Sequence, residues 1–288
     1  MCLENNEGEY TLPLEDITAI ILESPQITLS SAFLSHCQSL GVTIVTCDRS
    51  HIPNGTLIPF LQHSRQSGVA RLQQSWTGPL RKRLWQGVVQ TKIWNQAACL
   101  NLVGKKEAAR QLHTLAERVK SGDPDNVKAQ AARTYWPLLL GANFRRGRED
   151  IDNAALNYGY AVARAFVARS QVAYGLIPAF GIHHNNELNA FNLTDDILEV
   201  FRPLVDREVL FLKQEGLLKG EEKTLCSSIR QKLANIGNVL CHIRGQAHTL
   251  INASDKMAAG LVAAIEAKDA GLLPMPELVA ALPQVGRE

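Results

Sequence analysis

The sequence lacks any long apolar run, so nothing in it argues for membrane insertion. None of its 288 residues fall in an uninterrupted apolar stretch of the roughly 18 residues that a membrane-spanning helix requires. The opening residues, MCLENNEGEY, have neither the basic segment nor the apolar segment of a secretory signal peptide. We therefore expect a cytoplasmic protein that has no membrane partner.

Paired cysteine motifs are also absent. The six cysteines are scattered, and no two of them are spaced as CxxC, so neither a disulfide framework nor a zinc ribbon is predicted. We expect reduced thiols with structural roles at Cys2, Cys37, Cys47, Cys99, Cys226 and Cys241.

Acidic residues are scarce in the middle of the chain. Residues 63–150 contain sixteen basic and six acidic residues, a net charge of +10, whereas residues 1–62 carry −6 and residues 151–288 carry −2. A cationic block of this size is typical of proteins that follow a phosphate backbone, although solvated helix faces are the alternative for any single residue. We expect DNA contacts from Arg81, Lys82, Arg83, Arg145, Arg146 and Arg148.

Strand signals are confined to the front of the chain, and helical signals follow. The pattern predicts strands over Tyr10–Leu14, Ile17–Leu22 and Val42–Cys47, and a short helix over Ser30–Leu40. Asn54-Gly55 predicts a two-residue hairpin turn. The sequence therefore predicts an α+β protein that is mostly α, with a small β-rich domain over residues 1–62 and a larger α-helical domain over residues 63–288.

Helical spacing of Ala, Leu, Gln, Arg and Lys extends through most of the second domain. We predict helices over Ser67–Trp76, Gly78–Leu102, Lys105–Val119, Asp125–Leu140, Asp150–Ala173, Leu193–Glu215, Lys223–Leu250 and Ser254–Ala267.

The stretch from Gly181 to Asp206 concentrates ligands for hard metal ions. A His183-His184 pair leads into a helix on which Asp196 and Glu199 are three residues apart and share a face. Carboxylates beside an apolar face, together with an imidazole, suit Mg²⁺ or Mn²⁺, whereas zinc is less favoured because no cysteine lies nearby. The alternative is a solvated helix start in which the acidic groups favour the helix dipole.

Four segments, in this order and with these gaps, resemble the CRISPR-associated integrase called the "Cas-one" family, and most closely its type II branch. They are DNVKAQAARTYWPLLLG, DIDNAALNYGYAVARAFVA, GLIPAFGIHHNNELNAFNL and DDILEVFRPLVD. The likeness extends to PLEDITAIILESPQITLSSAFL and IPNGTLIPF near the front.

The resemblance implies a fold, an activity and partners. It implies a β domain that forms a homodimer, a helical domain, and metal-dependent cutting and joining of DNA that inserts new spacers into the CRISPR array. The implied partners are DNA, as protospacer and CRISPR repeat, the small "Cas-two" subunit, and the type II effector nuclease. The front of the chain opens partway along what resembles a family strand, so we expect the first β-hairpin to be missing.

Carried over residue by residue, the family's catalytic and metal-binding histidine and acid match His184 and Glu199, with Asp196 as an additional metal contact for Mg²⁺ or Mn²⁺. The family's third ligand is a glutamate within N-R-E-x-x-A-A-R/K, and Lys128 stands at that position. A protonated amine repels a divalent cation.

Lys128 leaves two alternatives. In the first, the chain is an active integrase in which waters or Asp125 replace the lost ligand. In the second, it is a catalytically impaired subunit that binds DNA as a scaffold, and Lys128 pairs with Glu199.

Overall fold

The computed structural model describes residues 1–5, 8–59, 63–219 and 224–278. It confirms an α+β fold that is mostly α. The front of the chain forms an antiparallel hairpin of β1 (Cys2–Asn5) and β2 (Gly8–Thr11). A separate three-stranded sheet has the order β3 (Ala19–Leu22), β4 (Thr43–Cys47) and β5 (Pro53–Leu57), in which β3 and β4 are parallel and are joined through α1 (Ser31–Ser39).

The hairpin turn predicted at Asn54-Gly55 is wrong, because both residues lie inside β5. The turn comes earlier, where Asp48 Oδ1 accepts hydrogen bonds from the backbone of Ser50 (2.8 Å) and Ile52 (3.0 Å). The side-chain oxygen Oδ1 of Asn54 instead accepts a hydrogen bond from the Thr46 hydroxyl across the sheet at 3.0 Å. Glycine is needed at position 55 because a Cβ there would lie 2.5 Å from Thr46 Oγ1.

A small apolar cluster lies under the front sheet and contains Leu14, Cys37, Val42 and Ile44. The predicted domain boundary at residue 62 lies outside the described residues and stays a prediction. The chain does open on a hairpin, formed by β1 and β2. Whether a further hairpin of the family is missing also stays a prediction.

Most of the predicted helices are confirmed, and their ends shift by a few residues. The helical region contains α2 (Gln66–Gln74), α3 (Gly78–Leu102), α4 (Lys106–Glu117), α5 (Val127–Leu140), α6 (Ile151–Ala173), α7 (Asn192–Gln214), α8 (Ser227–Ala234) and α9 (Leu250–Ala267). Helix α7 packs against both α3 and α6, and the three helices contribute the fully buried side chains of Trp85, Leu156 and Phe201. Within the described residues, no helix combines the length and the apolar character that crossing a membrane requires.

The single long helix predicted over Lys223–Leu250 is wrong. Its described part consists of the short helix α8 followed by a hairpin of β6 (Leu240–Ile243) and β7 (Gln246–Thr249), and β6 also pairs with β8 (Glu277–Leu278). The hairpin turn is made by Arg244 and Gly245, which both have positive φ, at 51° and 78°. Cys241 and Ile243 are buried at alternate positions, which is the period of a strand.

Glycine allows the close approach of α6 and α7, the two longest helices after α3. A Cβ added at Gly159 in α6 would lie 2.5 Å from Cγ1 of Val205 in α7. The neighbouring Leu233 of α8 packs over the same point, with its Cδ2 3.7 Å from that Cβ position. The absence of a side chain at Gly159 therefore sets the spacing of α6 and α7.

We predict that Gly159→Ala lowers the free energy of unfolding by about 1–3 kcal/mol, because an added methyl group overpacks a filled contact. Val205→Ala removes the methyl groups that the new side chain would meet. The double variant should therefore be more stable than the sum of the two single losses indicates, as measured by urea titration. Strictly additive losses would show that the methyl group added at position 159 does not meet the Val205 side chain.

Candidate functional site

The loop that leads into α7 is held in place by one buried carboxylate. Asp196 has no exposed surface, and its Oδ2 accepts a hydrogen bond from the backbone N–H of His183 at 2.8 Å. Its Oδ1 accepts from the backbone N–H of His184 at 3.2 Å and lies 2.6 Å from Nδ1 of the same residue. Because Asp196 lies in the first turns of α7, these hydrogen bonds fix the position of the loop relative to that helix.

Gly181 is the residue that allows this loop to close. A Cβ at Gly181 would lie 2.2 Å from the carbonyl oxygen of His184 and 2.9 Å from Oδ2 of Asp196. No side chain fits between these atoms, so glycine is required even though its φ is not positive.

The imidazole of His184 is oriented by Asp196. With Nδ1 bonded to the carboxylate, Nε2 is the ring nitrogen that remains for a ligand, which is the arrangement found behind metal-bound histidines. The hydrogen bond to Asp196 raises the pKa of His184, although partial burial opposes the shift. The side chain is 39% exposed, so the ring is accessible to a ligand.

His183, by contrast, lies flat on a core tryptophan. Its ring stacks on Trp85 with centroids 4.3 Å apart and an angle of 2° between the planes. The ammonium group of Lys128 lies 4.7 Å from the centre of the same indole ring. Burial lowers the pKa of His183, so this ring is favoured in its neutral form.

Glu199 lies one turn after Asp196 and is surrounded by positive charge. Its carboxylate forms an ion pair with Lys92 of α3, and lies 3.4 Å from Nε of Arg202 and 4.0 Å from Nζ of Lys128. Burial by itself would raise the pKa of Glu199, but the three cations outweigh it and lower the pKa to about 2. Glu199 is therefore a carboxylate at any physiological pH, and its charge is already balanced.

Lys92 is the closest of these cations and is largely buried, with 13% of its side chain exposed. Burial lowers the pKa of Lys92, while the adjacent Glu199 carboxylate opposes that shift. Neither group is stable in this place without the other, since removing one partner leaves an uncompensated buried charge.

Beside Glu199, a cleft is lined by the guanidinium groups of Arg146, Arg164 and Arg202. His184 and Tyr160 also line it. The Arg202 guanidinium lies 4.5 Å from the centre of the Tyr160 ring, and that of Arg146 lies 5.4 Å from it. Stacking on an aromatic face holds a guanidinium group in place and leaves its edge, which carries the N–H groups, facing hydrogen-bond acceptors.

Of the six arginines and lysines predicted to contact DNA, Arg146 lies in this cleft. It donates hydrogen bonds to the side-chain carbonyl oxygens of Asn153 and Asn157 on α6. Arg145 is used locally, because it donates to the carbonyl oxygens of Ala142 (2.9 Å) and Phe144 (2.8 Å). Arg148 is exposed on the same loop.

The other three lie at the start of α3. Arg81 donates from Nε to the carbonyl oxygen of Ile182 at 2.9 Å, so it supports the loop that carries His183 and His184. Lys82 packs along Gly122, while Arg83 is exposed. The structure thus brings together Arg146 and the His184, Asp196 and Glu199 group, and leaves the remaining cations outside the cleft.

The donor set does not fit a divalent metal ion as it stands. In the described parts of the chain, no three His, Cys, Asp or Glu side chains are grouped so that they could hold a metal. Asp196 is committed to the loop, and Glu199 faces two ammonium groups and a guanidinium. His184 and Glu199 are the two possible ligands that remain, and the ammonium group of Lys128 lies 4.0 Å from the Glu199 carboxylate.

Sequence reasoning missed Lys92, Arg164 and Arg202. Lys92 and Glu199 are 107 residues apart, so no local spacing connects them. One signal was present: Lys92 lies four residues after Val88 on the buried face of α3, where a charged side chain is out of place.

Comparison with known proteins identifies the family. The family model of CRISPR associated protein Cas1 matches residues 1–234. The chain belongs to the Cas1 family. It is 40% identical over 279 residues to the CRISPR-associated endonuclease Cas1 of Neisseria meningitidis serogroup C (strain 8013), covering 97% of this chain and 91% of that protein. The type II resemblance fits this relative.

Solved structures share the Cas1 fold. A casposase bound to an integration product superposes with a TM-score of 0.75 at 19% identity, over 91% of this chain and 82% of that one. A Cas6-RT-Cas1–Cas2 complex superposes with a TM-score of 0.73 at 18% identity, over 98% of this chain and 34% of that one. At these identities the likeness describes the fold.

We predict that Asp196→Asn lowers the pKa of His184, because the variant loses the carboxylate that favours the imidazolium. A histidine with a raised pKa stabilises the folded state below its unfolded pKa, and this contribution is lost as the pH rises through the folded pKa. The stability gap between parent and variant should therefore narrow as the pH rises through the folded pKa of His184.

Titration of the His184 ring by NMR, with thermal unfolding at several pH values, measures both effects. Asp195→Asn is the matched control, since Asp195 pairs with Arg164 rather than with His184. An unchanged His184 titration in Asp196→Asn would contradict the assigned hydrogen bond.

Proposed function

We propose that this chain acts in the insertion of spacer DNA as a DNA-binding and DNA-positioning subunit whose own metal chemistry is blocked. The observation that carries the proposal is the contact of Glu199 with the ammonium groups of Lys92 and Lys128 beside an arginine-lined cleft. The cleft supports DNA binding, and the lysines argue against a metal-dependent step in the unmodified chain.

DNA binding is supported by charge and by geometry together. Arg146, Arg164 and Arg202 come from three different parts of the chain, yet their side chains line one cleft. Arg202 and Arg146 are held against an aromatic ring, so little conformational entropy is lost when they bind a phosphate. The +10 segment over residues 63–150 adds long-range attraction for a polyanion.

The site has two candidate functions, the active integrase of the family and a scaffold subunit without metal chemistry. The lysines favour the scaffold subunit. His184 and Glu199 both line the cleft and are two side chains there that would serve as ligands for Mg²⁺ or Mn²⁺, and the Neisseria relative carries the name endonuclease. In this chain the Lys128 ammonium approaches both Glu199 and the face of Trp85, so it is accommodated rather than displaced. We therefore favour the scaffold subunit over the active integrase.

The partners follow from the same proposal. The relevant ligands are protospacer and CRISPR-repeat DNA, the small Cas2 subunit, a second copy of this chain through the front domain, and the type II effector nuclease. The likeness to a Cas1 chain within a complex that contains Cas2 supports the second of these.

If the cleft binds the phosphate backbone, the affinity of the protein for duplex DNA should fall steeply as the salt concentration rises. Removing one phosphate contact should reduce the slope of log affinity against log salt by about 0.9. We predict this reduction for Arg146→Ala, measured by fluorescence anisotropy. Arg110→Ala is the matched control, because Arg110 belongs to the same cationic segment but pairs with Glu107 on an exposed helix face. If the parent chain, Arg146→Ala and Arg110→Ala all gave the same slope of log affinity against log salt, the cleft would be excluded as the DNA-binding site.

Lys128→Glu tests the blocked metal site. The substitution replaces a repelling charge near Glu199 with a carboxylate, and one unit charge at 4 Å contributes on the order of 4 kcal/mol before desolvation at an effective dielectric of about 20. We predict that the variant binds Mn²⁺ more tightly by calorimetry and gains cleavage of branched DNA. Adding His184→Ala should abolish both gains.

Lys128→Gln is the control that removes the charge without adding a ligand, and it should gain less than Lys128→Glu. Mn²⁺ binding and cleavage by the parent chain at the level of Lys128→Glu would overturn the scaffold assignment in favour of the active integrase.

A further inference from the structure

The most exposed large apolar side chain in the described residues is that of Leu188. It is 96% exposed, whereas the other exposed large apolar residues fall between 38% and 49%. Single exposed leucines are common on protein surfaces and need no explanation. The position of Leu188 is different because of how its loop is built and where the loop lies.

The loop is braced by asparagine side chains, so Leu188 projects from a rigid turn. The side-chain oxygen of Asn186 accepts a hydrogen bond from the backbone N–H of Leu188 at 3.0 Å, and the N–H of Asn189 donates to the carbonyl of Asn186 at 3.1 Å. Beneath the turn, the buried Asn192 amide donates to the carbonyl oxygens of Asn186 (2.9 Å) and Asn189 (3.0 Å). The turn that carries the exposed Leu188 is therefore held by four hydrogen bonds.

The turn is fastened to the wall of the cleft. Asn189 accepts a hydrogen bond from Arg164 at 3.0 Å and donates to Asp195 at 2.7 Å. Both partners line the cleft together with His184 and Glu199. Leu188 is thus adjacent in sequence to Asn189, which is hydrogen-bonded to the wall of the cleft, and it lies four residues after His184.

We propose that Leu188 is a wedge that inserts between bases of the DNA held in this cleft, at the branch or strand end where the duplex is open. The inference rests on the proposed DNA function. Leucine is among the apolar side chains that proteins insert at base steps, and the cost of unstacking is offset by contacts that the protein makes with the rest of the DNA. The arginines that line the adjacent cleft would supply such contacts to the phosphates. The carboxylate of the neighbouring Glu187 repels phosphate, so it favours a base rather than the backbone at the tip.

The test uses branched DNA that carries 2-aminopurine at the branch, since this base fluoresces more strongly when it is unstacked. Binding of the full chain should raise the fluorescence, and Leu188→Ala should lose the rise. Leu188→Met keeps a long apolar side chain and should retain it. Leu217→Ala, which removes a partly exposed leucine beyond the other end of α7, is the matched control and should behave as the parent does.

The affinity for the branched DNA is measured on the same samples by anisotropy. This measurement distinguishes a failure of the wedge proposal from a failure of the proposed DNA-binding function. If Leu188→Ala binds the branched DNA and gives the full fluorescence rise, the wedge is wrong and the DNA function stands. If the parent binds DNA without any rise, the wedge is also wrong. If the parent does not bind branched DNA at all, the proposed function itself fails and the wedge fails with it.

Discussion

The arrangement of the helices depends on one buried cluster of charge, in which the Glu199 carboxylate is surrounded by Lys92, Lys128 and Arg202. The four side chains come from α3, α5 and α7, so each helix contributes charge that the others must compensate. Removing the carboxylate would leave three cations close together in a region with little water, which is far more costly than losing one surface ion pair. The relative position of these helices is therefore fixed by electrostatics as well as by packing.

A second buried carboxylate ties α6 to the same group. Asp206 of α7 accepts hydrogen bonds from the hydroxyl groups of Tyr135 on α5, at 2.8 Å, and of Tyr160 on α6. Burial raises the pKa of Asp206 to about 6, although the two tyrosines lower it. Tyr160 also presents its ring to Arg202 and Arg146. The cleft arginines are thus connected through one tyrosine to the core of the helical region.

The sequence predicted the parts of this structure that local periodicity determines. Helices α3 and α6 and the group of His184, Asp196 and Glu199 follow from spacings within single segments, which is why they could be identified without coordinates. The β6–β7 hairpin was missed because its strands are short and a helical pattern flanks it on both sides. Lys92 and Arg164 were missed because each meets the site across a distance in sequence that no local pattern encodes. The role of Asp196 as a metal contact stays a prediction. Its hydrogen bonds to the backbone of His183 and His184 could not be predicted from the sequence, because they depend on the conformation of that loop.

Two attractive contacts hold the ammonium group of Lys128 beside Glu199. Here it lies over the Trp85 ring, whose negative face attracts a cation, and within reach of Glu199. Its backbone N–H donates to the Asp123 side chain at 3.2 Å, so the start of α5 is capped regardless of the side chain at position 128. The hydrogen bond at the start of α5 therefore does not depend on the side chain at position 128, whereas the ammonium group of Lys128 supplies one of the three positive charges that face Glu199.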